Sequence, residues 1–278
     1  MTSETNKTSK IKKIGIIAGA GYLPKHVLEA CKEQKIPHVV IGLEKETSFE
    51  LFKGENIHSF KIYNISKIFD FLKSEGVNYL TLAGKVRRAN ISRLLLDFKG
   101  AMLFTKVIRN GLSDGAILKT VLDFIEQEGF KIIAPEKVAN NIILTKGYIT
   151  KSKPDSVAEK DIKHGIKILR GIASFDVGQA LIIQNGLVLG VEAAEGTDDL
   201  IKRCGEIRQE GEGPILIKII KPEQDKRVDL PCIGPDTILN AQKYGIRGIA
   251  AEAGSTLVLD QINTVKLANR LGIFIHGF

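Results

Sequence analysis

Residues 14–42 read IGIIAGAGYLPKHVLEACKEQKIPHVVIG, from Ile14 to Gly42. The apolar Ile14–Ala18 predicts a short buried strand, and Gly19-Ala20-Gly21 a tight turn. Val27, Leu28 and Cys31, spaced by polar residues, predict a helix to about Gln34. His38–Gly42 then supplies a second strand. A strand, a glycine turn, a helix and a strand in this order open a Rossmann-like, mostly parallel sheet.

The alternation continues downstream. Ser59–Tyr63 is a short strand, and Ile65, Ile68, Phe69 and Leu72 lie on one helical face. Val77–Ala83 predicts a strand. Helices are expected over Arg93–Ile108 and Asp114–Glu128, the second with Ser113-Asp114 as N-cap chemistry. Phe130–Ala134 closes the unit. The expected organisation is a disordered tail over 1–10, a Rossmann-like domain over 11–134, a linker over 135–155 and a mixed α/β catalytic domain over 156–278. The second domain has a different grammar. Asn185-Gly186 separates the apolar runs Gln179–Gln184 and Leu187–Ala193, which predicts an antiparallel hairpin on a type I′ turn.

Composition narrows the functional classes. Of 278 residues, 44% are hydrophobic and 26% charged, so a packed core is expected. Trp is absent, which argues against an aromatic binding platform. The net charge of +8 favours phosphate-bearing ligands, nucleic acid or an anionic membrane surface. Cys31, Cys204 and Cys232 show no metal or disulfide spacing and read as reduced thiols. No apolar run approaches the length that spans a bilayer, and the N-terminus is polar and lysine-rich, so a cytoplasmic protein is expected.

Five places carry candidate chemistry. Gly19-Ala20-Gly21 with Tyr22 could admit a phosphate to the helix N-terminus, although a tight turn explains the glycines equally and the third glycine of a dinucleotide fingerprint is missing. Lys85-Val86-Arg87-Arg88 follows a strand end, where cations could grip a pyrophosphate or form a solvated turn. Gly111–Gly115, with Asp114, suggests a close approach. Glu192 and Glu195 follow an apolar strand, before Gly196-Thr197-Asp198-Asp199, where Thr or Asp capping is ordinary. With Glu252 they suggest a polar cleft. The fifth place is Pro214–Thr237, PILIKIIKPEQDKRVDLPCIGPDT: a β-branched strand, a doubly charged loop, and Pro235 placed to open a helix. Such a cleft suits phosphoryl attack, with Asp229 and Asp225 as the carboxylates that orient or deprotonate water or hold a metal. Candidate metal ligands are Asp229, Glu192 and Glu252.

Taken together, GAGYLP (19–24), AGKVRR (83–88), GLSDGAILKTVLDFIEQEGF (111–130), DVGQA (176–180), VLGVEAAEGTD (188–198), KPEQDKRVDLPCIGPDT (221–237) and AEAGSTLVLD (251–260) resemble one family. It is the UDP-2,3-diacylglucosamine pyrophosphatase family of lipid A biosynthesis, of the type unrelated to calcineurin-like metallophosphoesterases. The resemblance implies hydrolysis of UDP-2,3-diacylglucosamine to 2,3-diacylglucosamine 1-phosphate (lipid X) and UMP. It also implies water attack on the α-phosphorus and a divalent ion, usually Mg2+. A Rossmann-like domain and a C-terminal domain with the site between them, in a homodimer, are further implications. The family's critical aspartate matches Asp229, with Asp225 a helper. Substrate contacts are expected from Gly19, Gly21, Tyr22, Lys85, Val86, Arg87, Asp114, Gln179, Glu195, Thr197, Asp198, Lys221, Gln224 and Arg227. The doubly acylated substrate that the resemblance implies, helped by the lysine-rich charge balance, sets the expectation of peripheral residence at the inner face of the inner membrane, and the resemblance implies no nucleic-acid partner. An NAD(P)-dependent oxidoreductase, from Gly19-x-Gly21, and a non-catalytic lipid or nucleotide carrier are the competing readings.

Overall fold

The computed structural model describes residues 11–86, 91–139, 142–175, 177–222 and 224–278, without the side chains of Ile91, Asp114 and Ser174. The expected disordered tail, 1–10, lies outside them. The chain divides into two compact units, 1–140 and 141–278.

The first unit contains β1 (Ile14–Ala18), α1 (Leu23–Glu33), β2 (His38–Leu43), β3 (Ile57–Phe60), α2 (Ile65–Ser74), β4 (Tyr79–Ala83), α3 (Phe98–Asn110), α4 (Asp114–Gln127), β5 (Lys131–Ile132) and α5 (Pro135–Val138). Its five strands are all parallel, in the order β3-β2-β1-β4-β5. The central β1 is apolar on both faces because helices cover both sides of a parallel sheet. Ile14, Ile16 and Ala18 are accordingly buried. The chain direction around the sheet reverses between β1 and β4, the switch point of an open α/β sheet.

One expected helix differs. The Arg93–Ile108 pattern is split into a 3-10 turn over Ile91–Leu96 and α3. Asp97 takes an extended conformation between them, and its side chain accepts from the Gly100 amide at 2.9 Å. An aspartate that satisfies the first free amides starts a new helix rather than continuing an old one. Ser113 caps α4 as expected, accepting from the Ala116 amide.

The second unit contains β6 (Gly147–Tyr148), α6 (Ser156–Ile172), β7 (Ala180–Gln184), β8 (Leu187–Val191), α7 (Thr197–Glu206), β9 (Ile215–Lys218), β10 (Cys232–Ile233), α8 (Pro235–Lys243), β11 (Gly248–Ala251), β12 (Leu257–Val258), α9 (Gln261–Leu271) and β13 (Phe274–Gly277). Within the segment read from sequence as a linker, 135–138 is therefore helical and 147–148 pairs antiparallel with β13. Six strands form one sheet, β6-β13-β11-β9-β7-β8, and β10 pairs with β12 separately. β9, β11 and β13 are parallel, whereas β7 runs against β9 and β8 against β7.

The period of two along β9 assigns its faces. Ile215 and Ile217 pack with Ala158, Ile162 and Leu169 of α6. Leu216 joins Leu200 and Ile201 of α7 and Ile238 of α8 on the other side. Lys218, next in the alternation, points to this second side.

The β7–β8 hairpin forms as its Asn-Gly signal requires. Asn185 and Gly186 have φ of 50° and 80°, the two positive values of a type I′ turn. The buried Asp161 of α6 grips the turn, accepting from the Asn185 and Gly186 amides at 2.8 and 2.7 Å. The register shifts between Ile182 and Ile183: Ile182 faces Gly190, Ile183 faces Val188, and Leu189 is the extra residue of a bulge.

Candidate active site

The topology of the second unit gathers several chain ends at one edge. Lys218 and Ala251 end the parallel strands β9 and β11, and Ala180, which begins the antiparallel β7, sits opposite Lys218. β8 returns to the same edge, where the Glu192 amide donates to the Ala180 carbonyl at 2.8 Å. The carboxyl edge of parallel strands is the usual ligand edge of such sheets.

Hydrogen bonds at this edge join most of the second-unit residues expected from sequence. The Gln224 side-chain amide donates to Asp229 Oδ2 at 2.8 Å and to Gln179 Oε1 at 3.1 Å. Its own Oε1 accepts from the Lys221 backbone amide at 2.9 Å. All three bonds agree with one orientation of the amide, since the flipped group would set oxygen against the Asp229 carboxylate. Asp229 is half-buried, and among the described residues no hydrogen bond reaches its Oδ1. That oxygen is available to water or a cation.

Glu192 is spent differently. Its side chain is buried, with Oε2 accepting from the Gln179 amide at 2.9 Å and Oε1 from the Thr197 hydroxyl at 2.7 Å. Thr197 is not the helix cap expected from sequence. The N-cap of α7 is Gly196, at φ 83°, a left-handed backbone that favours glycine. The threonine, freed from capping, bridges Glu192 and the ammonium of Lys218, which lies 3.1 Å from its oxygen. Lys218 also donates to the Cys232 carbonyl at 3.2 Å. Sequence reasoning missed this lysine. A lone cation inside the apolar run Ile215–Ile220 was the available signal, because a buried charge must have partners.

The remaining candidates lie beside this cluster. Asp225 is held by Arg227 through its Nε and Nη2, at 3.0 and 2.8 Å to the two carboxylate oxygens. The guanidinium holds the Asp225 carboxyl below the usual carboxylate range. Glu195 pairs with Arg203 at 2.7 Å, which likewise lowers its pKa. Asp198 accepts from Asn240, and Glu252 Oε2 accepts from the Ile220 amide at 3.3 Å. Among the described residues, no three His, Cys, Asp or Glu side chains gather to hold a metal ion.

In the first unit, Gly19, Gly21, Tyr22, Lys85 and Val86 collect at the carboxyl edge of β1 and β4. The chain crosses the switch point here with its own backbone. The Ala20 amide donates to the Lys85 carbonyl at 2.7 Å, and the Lys85 amide to the Ala20 carbonyl at 3.0 Å. A Cβ on Gly19 would lie 2.5 Å from the Lys85 oxygen, so this glycine serves the bridge. Gly21, at φ 87°, donates to Ser48 Oγ at 3.1 Å. Tyr22, Lys85 and Val86 are exposed. Arg87 lies outside the described residues, as does the side chain of Asp114.

Residues 13–142 match the LpxI N-terminal domain model and residues 145–276 the LpxI C-terminal domain model. The chain belongs to the LpxI family. A family relative, the UDP-2,3-diacylglucosamine pyrophosphatase LpxI of Caulobacter vibrioides, is 35% identical, over 96% of this chain and 98% of its own. Solved structures add little to the LpxI assignment. A UDP-glucose 4-epimerase of Thermus thermophilus in complex with NAD matches at TM-score 0.28 and 13% identity, over 52% of this chain and 41% of its own. A leucoanthocyanidin reductase from Vitis vinifera matches at 0.28 and 16%, over 44% and 45%. Likeness this slight bears on neither fold nor function.

Proposed function

We propose that the protein hydrolyses the pyrophosphate of UDP-2,3-diacylglucosamine, releasing UMP and 2,3-diacylglucosamine 1-phosphate. The observation that carries this reading is the near full-length likeness to a pyrophosphatase of that name, joined to a half-buried carboxylate, Asp229, held at a strand-end edge. Water adds to the α-phosphorus and the bond from that phosphorus to the bridging oxygen breaks. The leaving β-phosphate stays on the sugar. Asp229, fixed through Oδ2, presents Oδ1 to that water as base or orienting group. Lys221 and Arg227 stand in the same loop as candidate phosphate contacts.

A divalent cation fits this donor set in one way. Mg2+ is commonly held by one or two carboxylates with the substrate's phosphates and waters completing its shell, and Asp229 Oδ1 is such a carboxylate oxygen. Bound there, the ion would neutralise charge on the phosphate oxygens. Glu192, whose two oxygens already take protein donors, is the weaker of the sequence candidates.

Residence at the inner face of the inner membrane belongs to the same reading, because the substrate carries two acyl chains. No helix among the described residues is long and apolar enough to cross a membrane. α3 and the turn before it instead expose Leu95, Leu96, Phe98, Met102 and Ile108, with Phe98 79% and Leu96 76% accessible. Within 91–110, Arg93, Lys106 and Arg109 accompany them with Asp97 as the one acid of that segment, while Lys99 is paired with Glu128. An exposed apolar strip with basic neighbours suits an anionic leaflet. A homodimer, expected of the family, is tested by sedimentation.

The deciding experiment is turnover in H2(18)O with mass spectrometry of both products. Label in UMP supports attack at the α-phosphorus. Label in the sugar phosphate rejects that route, and the absence of both products rejects the reaction.

A further inference from the structure

Lys218 and Glu192 are two opposite charges with no evident place in the chemistry, 4% and 6% exposed. Burying charge is costly unless it is paired and hydrogen-bonded. Here the two are joined through one hydroxyl: Lys218 Nζ donates to Thr197 Oγ1, which donates to Glu192 Oε1. The other Glu192 oxygen takes the Gln179 amide. The Gln179 carbonyl accepts from the Ile219 amide at 3.0 Å, one residue after Lys218. Gln179 is therefore fixed at both backbone polar groups, and its side chain meets the same Gln224 amide that grips Asp229.

A continuous path thus runs from Lys218 through Thr197, Glu192, Gln179 and Gln224 to Asp229. It draws on the start of β7, the end of β8, the first turn of α7, the end of β9 and the loop after it. Lys218 ties the loop's exit as well, through the Cys232 carbonyl. Thr197, Glu192 and Gln224 have all their side-chain polar atoms engaged in one geometry, which is how a buried polar network specifies one arrangement.

We propose that Lys218, Thr197 and Glu192 are positioning residues that fix Gln179 and, through Gln224, set the orientation of the Asp229 carboxylate. The proposal rests on the reading that Asp229 acts on the pyrophosphate. These residues need not touch the substrate. Their effect on rate comes from holding a reacting group in place, and a small misplacement of such a group can cost about 100-fold.

The test is epistasis. Glu192→Gln and Lys218→Met are each made in the parent and in Gln224→Ala, and UMP release is followed as kcat and KM. In the parent, each change lowers kcat about 10-fold or more with KM within about twofold. In Gln224→Ala, whose link to Asp229 is already cut, the same changes cost less than about twofold. Equal losses in both backgrounds overturn the proposal, as does an unchanged kcat in the parent. If either charge variant fails to fold, Thr197→Val removes only the bridging hydroxyl and Thr197→Ser restores it. The pair must then lose and regain kcat. A second measurement needs no substrate. The Gln224 side-chain amide signals, assigned with Gln224→Ala, exchange with solvent on the order of tenfold faster in Thr197→Val than in the parent. Unchanged exchange rejects the positioning role even if the reaction proves to be another one.

Discussion

Gln224 holds Asp229 by one carboxylate oxygen, Nε2 to Oδ2 at 2.8 Å, while among the described residues no hydrogen bond reaches Oδ1. A carboxylate held by one oxygen has its orientation set by the protein and its other oxygen turned to the chemistry. Removing the carboxyl should therefore abolish turnover without unfolding the chain. Asp229→Ala is expected to lower kcat about 1,000-fold and to leave the melting temperature within about 2 °C, since the residue is only half-buried. Near-normal UMP release from a folded variant sinks the assignment.

Asp225 has another part. Its carboxyl is held below the usual range by Arg227, so its folded pKa lies below its unfolded value of about 3.9. The stabilisation is then complete above that unfolded value and fades as pH falls through the folded one. Both side chains are partly exposed, and solvent screening keeps the effect small. Asp225→Asn should melt about 2 °C lower than the parent near pH 7, with the gap closing below about pH 4. A gap that stays constant across this range removes the ion pair as its cause.

The exposed strip of α3 is tested on vesicles. Replacing Leu96 and Phe98 by Glu should weaken binding to phosphatidylglycerol-rich vesicles about tenfold or more, because each large side chain contributes at least about 1.5 kcal/mol on burial. Binding to neutral phosphatidylcholine vesicles should be weak for both proteins. Undiminished co-sedimentation of the variant moves the contact elsewhere on the surface.

The competing oxidoreductase reading is also measurable. Because the Ala20–Lys85 backbone bridge spans the switch point, NAD(P)H at millimolar concentration should leave the melting temperature unchanged. A rise of about 3 °C or more would mean specific binding and would reopen that alternative.

Much of the fold could be read from local pattern. The Ile14–Gly42 run, the Asn185-Gly186 turn and Pro235 at the first position of α8 each carry their signal within a few residues. The helix break at Asp97 was missed because the apolar spacing runs on unbroken through it, and only the capping bond marks the restart. The site was legible in part. Asp229, Gln224, Gln179 and Thr197 stand out one by one, but along the chain Thr197 reads as a helix cap or a substrate contact. Its real partners, Glu192 and Lys218, lie 5 and 21 residues away. Such pairings follow from how strands are ordered in the sheet, which spacing along the chain does not encode. Glycine roles were ambiguous for the same reason, since the partner of Gly19 is backbone in a distant loop.

The bulge on β8 buffers the site against a change of one residue. Leu189 is one more residue on β8 than β7 can match, and the pairs on either side of it, Ile183 with Val188 and Ile182 with Gly190, keep the regular alternation of faces. Glu192 takes its side of the sheet from its place opposite Ala180, whose carbonyl accepts from its amide. Deleting Leu189 would therefore leave a plain hairpin with the same turn, the same grip of Asp161 and Glu192 still beside Thr197. A second deletion from the strand would have no extra residue to absorb it and would turn the carboxylate to the α6 side of the sheet. An evolutionary record of this strand should accordingly tolerate the loss of one residue here far better than the loss of two.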